Sequence, residues 1–458
     1  MNLLAIASKS IRQRSLASSL TALSVALGVT LMVTVLVIHG VVQEMFSQSS
    51  AGYDLIVGAK GSKLQLVLNT IYRVSQPIEN LPYQYYEEVK EDKRVKLAIP
   101  MALGDTTEEG GFPIVGTLPH YFAQSYSYGK KFRIRGQVMQ GKWHAVIGAS
   151  VARQNNWDIG TKIKLVHGGM DDHVHDEEFE VVGVLAPTGT PNDKTVFAHL
   201  SGFYLMDGHD KPMGEALDRL KLFYPEEYGN MTVQQLEEKL KMEDEASHEG
   251  ETEEEHAAHA GHAHAHSLPD ELKEVTAILV VMKGDTIGQQ TLRSAKFSAE
   301  LSEGVKAQAV NPAYEISWLM QNIVGNVRTI MIVLTAMIIV VSGISIFVSI
   351  YNSMADRRKE IAIMRALGAR RQTVFSIILA ESIVLCTLGG LVGFVLGHGM
   401  VFIASPIVES QSGFILDPMK FEPIELVLLP SLIALASLVG FIPGMTAYRT
   451  DVAKTLGG

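Results

Sequence analysis

Four long apolar runs constrain this chain more than any other feature. Residues 15–43, 329–355 and 426–448 carry no formally charged side chain, and residues 372–405 carry one, Glu381. A helix over the first run would reach about 43 Å, and the ~30 Å hydrocarbon core of a bilayer needs about 20 apolar residues. A cleaved leader would have an apolar stretch of about 7–15 residues and a small-residue cleavage site. The first run is longer than that and has no such site, so it reads as an uncleaved anchor. The runs account for a mean hydropathy of +0.16 in a chain with 19% charged residues.

Basic residues in short links set the direction of such spans. Residues 1–14 carry Lys9, Arg12 and Arg14 and no acid, and Leu3, Leu4, Ala7 and Ile11 give them an amphipathic stripe. Residues 356–371 carry six Lys/Arg, and the tail, residues 449–458, adds Arg449 and Lys454. Residues 406–425 carry one basic residue and four acids. With four spans every basic segment falls on one side, so both termini and the 356–371 link are expected in the cytoplasm, and residues 44–328 outside. That segment holds 27 Lys/Arg against 41 Asp/Glu, a balance of −14. This argues against nucleic acid as a partner.

The expected fold class is therefore membrane α-helical, with four transmembrane helices, plus an α/β extracytoplasmic domain carrying a β-rich inserted subdomain. Strand patterns at residues 53–57, 96–101, 275–282 and 305–310, with helical patterns at 63–72, 83–91 and 291–301, suggest one α/β subdomain built from about 50–104 and 274–315. The insert, 105–273, shows strand patterns at 146–148, 162–166 and 179–185, a turn at 187–191, and a helix over 233–242 capped by Thr232. Residues 243–266 are rich in Glu, Ala and His, cannot bury a core, and read as a disordered loop.

The 352–371 link reads NSMADRRKEIAIMRALGARR. Ile361, Met364, Arg365 and Gly368 fall at i, i+3, i+4 and i+7, so a short surface helix could present them to a partner's groove, and Gly368 would end it. The segment resembles the cytoplasmic loop of the MacB/FtsX/LolC-type ABC permeases, the type VII or mechanotransmission group. The matching residues are Arg357, Glu360, Ile361, Arg365, Ala366, Gly368 and Ala369, while Ala362 stands where that family has glycine. Glu381 followed by spaced glycines to Gly397, the stretch Pro443–Leu456 with its Pro-x-x-x-Ala pattern, and VIGASVARQNNWDIGTKIKL with FEVVGVL extend the resemblance over nearly the whole chain. It implies a pair of permeases, as a homo- or heterodimer, on a pair of cytoplasmic ABC ATPases in a bacterial inner membrane, with ATP bound by the partner. ATP-driven closure would reshape the outer domain. The residues expected to couple to the ATPase are Arg357, Arg358, Glu360, Ile361, Met364, Arg365, Gly368 and Ala369.

No G-x-x-x-x-G-K-[ST] signature occurs, so P-loop hydrolysis is expected from a separate subunit and the chain is not expected to be an enzyme. Gly389, Gly393 and Gly397 recur every four residues and mark close helix packing, within the chain or between permeases. Glu381 is an acid within the third span, expected to be structural or coupling, and His398 reads as hydrogen-bonded packing.

Histidines are the most individual feature. His248, His256, His259, His262, His264 and His266 lie among acids, and His173 and His175 form a smaller cluster. Imidazoles bind zinc, copper or nickel, so loose exchangeable binding is the reading, zinc first and copper second; a solvated linker is the plain alternative. The single cysteine, Cys386, excludes a disulfide framework within one chain. Three functions follow: export or extraction of a substrate with a periplasmic adaptor, activation of an extracytoplasmic enzyme by mechanotransmission, or metal handling with a periplasmic metal-binding protein.

Overall fold

The computed structural model describes residues 9, 11–13, 15–48, 52–127, 129–166, 174–206, 211–248, 268–356, 358–412, 419, 421 and 423–449. They divide into a helical unit, residues 1–44, 320–411 and 415–458, and an α/β unit, residues 45–319 with 412–414.

The α/β unit opens with β1 (Leu55–Ala59), β2 (Leu81–Pro82) and β3 (Val95–Thr107). Next come β4 (Pro113–Thr117), β5 (Ser125–Ser127), β6 (Lys130–Lys131), β7 (Ile134–Gly136) and β8 (His144–Ile147). The chain continues through β9 (Lys162–Val166), β10 (Val174–Leu185), β11 (Val196–His199) and β12 (Glu274–Val275) to β13 (Ala277–Met282) and β14 (Ala307–Val310).

One four-strand antiparallel sheet, ordered β14-β1-β13-β3, draws two strands from before the insert and two from after it. Alternation along β1 sends Leu55, Val57 and Ala59 into a core with Tyr85, Tyr86 and Val89 of helix Tyr83–Glu91 and Phe297 of helix Ile287–Glu303. Gly58 points the other way, where a side chain would collide with Leu66 of helix Lys63–Val67. Helices thus cover both faces of the sheet.

β3 is the hinge of the architecture. The sequence pattern gave it six residues, yet it runs for 13 and serves two sheets. Its first half pairs with β13, and Ala102 and Leu103 then pair with β4; past a register shift that spans Gly104, where φ is +139°, Thr106 pairs with both β4 and β9 and Thr107 with β9. Glycine reaches that backbone region without the Cβ penalty. From β3 the pairing continues through β4, β11, β8, β10 and β9 and returns to β3, so the insert closes into a small ring with β7 added on β10. Its interior holds Ile114, Ile147, Leu165, Phe179 and Val196, all at most 2% exposed. Each such side chain contributes about 1.5–3 kcal/mol relative to exposure.

The insert also holds helices Met213–Phe223 and Val233–His248, joined by a short turn at Pro225–Tyr228. They share a cluster of Ala216, Leu217, Leu220, Tyr228, Leu236 and Leu240. Thr232 caps the second helix: its Oγ1 accepts from Gln235 N–H at 3.3 Å, and Gln235 Oε1 accepts from Thr232 N–H at 2.9 Å. That helix runs on to His248, six residues into the stretch read as structureless. A helix already started at a reciprocal cap propagates through Glu and Ala at little cost. Residues 249–267 lie outside the described ones.

Candidate ATPase-coupling site and its helical support

The helical unit holds Ser15–Gln48, Gly325–Asp356, Arg371–Ser412 and Leu428–Arg449, each containing a stretch long and apolar enough to cross a membrane. Along the first, Ser18, Thr21, Val25, Ala26, Val29, Thr30, Val33, Leu36 and Val37 are buried, while Leu16, Leu20, Leu23, Leu27 and Leu31 are exposed. Leu36 apart, the small and β-branched side chains therefore occupy one stripe and the leucines another.

The three spaced glycines of the third span meet that small stripe. A Cβ on Gly389 would lie 2.7 Å from the Ala22 carbonyl oxygen, and one on Gly393 would lie 2.8 Å from Val29 Cβ. On Gly397 it would lie 2.7 Å from Val33 Cβ. Thr30 Oγ1 donates to the Gly393 carbonyl at 3.1 Å across the same seam. The seam lies within the chain, so these glycines pack spans one and three and do not need a second permease. The neighbouring Gly390 faces Leu432 of the fourth span. Further along that contact Ser382 faces Gly440 and Phe375 faces Gly444, which makes spans three and four antiparallel neighbours. Glu381 is buried at 7% exposure, beside Ser382 in sequence.

At one end of this bundle the link between spans two and three folds as a helix, Arg358–Ala366. Its stop is a Schellman motif: Ala369 N–H donates to Met364 O at 3.0 Å and Gly368 N–H to Arg365 O at 3.1 Å, with Gly368 at φ +102°. A left-handed glycine therefore turns the chain into the third span. The Arg371 guanidinium sits 5.9 Å over the Tyr448 ring, linking that turn to the end of the fourth span.

The helix presents a different apolar side from the one its spacing suggested. Ile361, expected to face a partner, is 3% exposed, and Ala362 is fully buried. The exposed apolar residues are Ile363 at 50% and Leu367 at 84%, four positions apart on the other side of the helix. Met364 and Arg365 are half-buried, Arg358 and Glu360 occupy the first turn, Gly368 and Ala369 form the stop, and Arg357 lies outside the described residues. Sequence spacing alone could not tell which of two apolar sides the chain itself would cover.

Toward the opposite end of the third span His398 Nε2 lies 3.2 Å from Glu425 Oε2. The imidazole packs between Phe394 and Phe421, with ring centroids 4.7 and 5.1 Å away. Its hydrogen-bonded packing was legible in the sequence; its acidic partner, 27 residues on, was not.

Of the histidines expected to hold metal, His175 is fully buried in β10. His248 ends a helix, and His173, His256, His259, His262, His264 and His266 lie outside the described residues. Among the described residues no group of three or more His, Cys, Asp or Glu is placed to hold an ion.

Comparison with known proteins gives two family matches. Residues 332–452 match the FtsX-like permease C-terminal family, and residues 18–238 match the MacB-like periplasmic core domain family. The chain is 27% identical over 154 residues to the macrolide export ATP-binding/permease protein MacB of Rhodopirellula baltica, covering 34% of this chain and 22% of that protein. It is 32% identical over 136 residues to the MacB of Burkholderia pseudomallei, covering 29% of this chain and 20% of the relative. The chain thus spans about a fifth of the length of these relatives. Among solved structures it is similar to the periplasmic region of MacB from Actinobacillus actinomycetemcomitans, at 11% identity and a TM-score of 0.31, over 62% of this chain and 98% of that one.

Proposed function

Because this chain belongs to the MacB/FtsX-like family of ABC transporter permeases, we propose that it receives ATP-driven movement through helix Arg358–Ala366 and passes it along the bundle to its α/β domain. The observation that carries this reading is the exposed pair Ile363 and Leu367 on a short helix with a rigid glycine stop. Two exposed apolar side chains one turn apart, beside Arg365 and Arg370, suit the groove of a cytoplasmic ATPase. The rest of the helix supplies the lever: Ile361 and Ala362 are buried, and Arg371 is held on Tyr448. A push on Leu367 would then move spans two, three and four together.

ATP hydrolysis belongs to an ABC ATPase, since this sequence has no P-loop signature. A second permease copy would complete the transporter in a bacterial inner membrane, with the 356–371 link and the termini on the cytoplasmic side. By analogy with the macrolide export named for the MacB relatives, the transported or extracted substrate leaves on the side of the α/β domain.

The test is a cysteine at Leu367 in a Cys386→Ala background. A crosslink to the co-purified ATPase is expected, and its absence during turnover overturns the assignment. Leu367→Glu should lower permease-stimulated ATP turnover roughly tenfold, equivalent to about 1.4 kcal/mol of coupling, without lowering the yield of folded chain. Ile361→Glu should instead lower the yield, because that side chain is buried.

The histidine- and acid-rich tract gives the transporter a metal arm that would hold zinc loosely and exchange it. Zinc titration of the full chain against a chain lacking residues 249–266 tests this: several weak sites lost with the tract support it, and equal binding in both removes it.

A further inference from the structure

Where the ring of the insert meets helix Tyr83–Glu91, the α/β unit keeps a cavity of about 130 Å³. Its walls are mostly apolar. Leu200 and Tyr204 are buried, while Leu118, Leu205 and Leu268 are half-buried, so part of their apolar surface is left uncovered by the chain. The Tyr83 and Tyr204 rings meet edge to face, with centroids 6.1 Å apart and planes at 88°. An apolar cavity of ~150 Å³ holds one benzene ring, so the space here suits a single six-membered ring.

The walls are braced from within the chain. Leu200 and Ser201 begin the short helix Leu200–Phe203, and His199 caps it by accepting from Ser201 N–H on Nδ1 at 3.3 Å. The turn before β8 is held in the same way, with His144 Nδ1 accepting from Gly141 N–H at 3.0 Å. A Cβ on Gly202 would lie 2.0 Å from the Lys142 carbonyl oxygen, so glycine there lets the turn and the helix close on each other. The Tyr204 hydroxyl donates to Glu274 O at 2.6 Å, and Tyr83 N–H donates to Lys273 O at 3.0 Å, which ties both tyrosines to the entry of β12. A site already held in shape loses little ordering entropy when it binds.

Charge sets the sign of the occupant. Among the described residues on the lining the charged ones are Lys142 and Lys273, with no Asp or Glu, in an outer segment where acids outnumber bases 41 to 27. The Lys273 ammonium stands 5.5 Å over the Tyr83 ring and 2.7 Å from Asp270 Oδ1. That aspartate is 53% exposed and off the lining, so a second carboxylate can share the ammonium from the cavity side.

We propose that this cavity binds a small aryl carboxylate, with its ring among the leucines and the two tyrosines and its carboxylate on Lys273. Mostly apolar walls with one or two placed polar groups are the make-up of a small-molecule site. The assignment is independent of what helix Arg358–Ala366 docks on.

The experiment is a ligand-observed NMR titration of the full chain in detergent, corrected against empty micelles, with benzoate, benzyl alcohol and benzylamine as probes. Benzoate should saturate and bind about fivefold tighter than benzyl alcohol, the difference between a charge-assisted and a neutral hydrogen bond, and benzylamine should bind weakest. Lys273→Met should bring benzoate down to the level of benzyl alcohol and leave benzyl alcohol unchanged. Leu205→Trp puts an indole into the cavity and should weaken benzoate and benzyl alcohol about tenfold or more. Lys273→Met changes an ion pair at the cavity rim, so it decides the matter even where Leu205→Trp lowers the yield of folded chain. Saturation by none of the probes, equal affinity for benzoate and benzyl alcohol, or a preference for benzylamine overturns the proposal. So does benzoate binding that is undiminished in Lys273→Met or in folded Leu205→Trp.

Discussion

The closed ring of the insert and the seam between spans one and three are both packed to contact, yet from opposite materials. The ring interior is filled by Phe179, Val196, Ile147 and Leu165, with Phe179 edge-on to Trp143 at 5.3 Å. The seam is made by removing side chains: glycines at 389, 393 and 397 accept Val25, Val29 and Val33 and the carbonyls between them. In water, burying a large apolar side chain is itself the driving force. Between apolar helices in lipid that gain is absent, and close backbone approach with polar contacts such as Thr30 to the Gly393 carbonyl takes its place. Large-to-small changes should therefore hurt the ring, and small-to-large changes should hurt the seam.

The largest effect is expected from Phe179→Ala, about 3–5 kcal/mol of lost stability, because a fully buried ring leaves a cavity that closed strands cannot collapse around. Chemical unfolding followed by tryptophan fluorescence would measure it; a cost under about 1 kcal/mol would mean the ring interior is looser than its burial indicates. Next comes Gly393→Val, about 1–3 kcal/mol, since the new side chain meets the fixed Ala26 carbonyl as well as Val29. Its control is Leu27→Ala on the exposed stripe of the first span, expected to stay within about 0.5 kcal/mol. Comparable melting losses for these two in detergent would break the distinction between a packed side and a lipid side.

The same contrast explains what the sequence disclosed. The spans were legible because four charge-poor runs have few other ways to fold, and the glycine spacing announced close packing, though not its partner on the first span. β9 and the Gly368 stop were legible because strand period and turn chemistry are local. Closure of the ring was not: β4 and β11 are only five and four residues long, and they pair in parallel across some eighty positions. Helix Met213–Phe223 shows Ala216, Leu217, Leu220 and Phe223 at helical spacing and was there to be found. The exposed side of helix Arg358–Ala366 was hidden, since Ile361 and Ile363 are equally apolar and tertiary packing decided between them.

The smallest expected effect concerns charge, which the α/β unit places at its surface. Arg94 grips Asp92 with two hydrogen bonds, Nε to Oδ1 at 3.0 Å and Nη2 to Oδ2 at 2.9 Å, and also pairs with Glu300. Hydrogen bonds from the Arg94 side chain hold the Asp92 carboxyl below the usual aspartate range. A carboxylate depressed on folding contributes stability above its unfolded value, about 3.9, and loses it as pH falls through the lower folded value. Wild type should therefore exceed Asp92→Asn by a constant margin from pH 7 to 5, and the two should converge as pH drops below the aspartate range. Because the pair is partly exposed, the margin should stay under about 1 kcal/mol and shrink in high salt. A margin that persisted undiminished in acid would show that Asp92 acts through its backbone turn with Arg94 rather than through its charge.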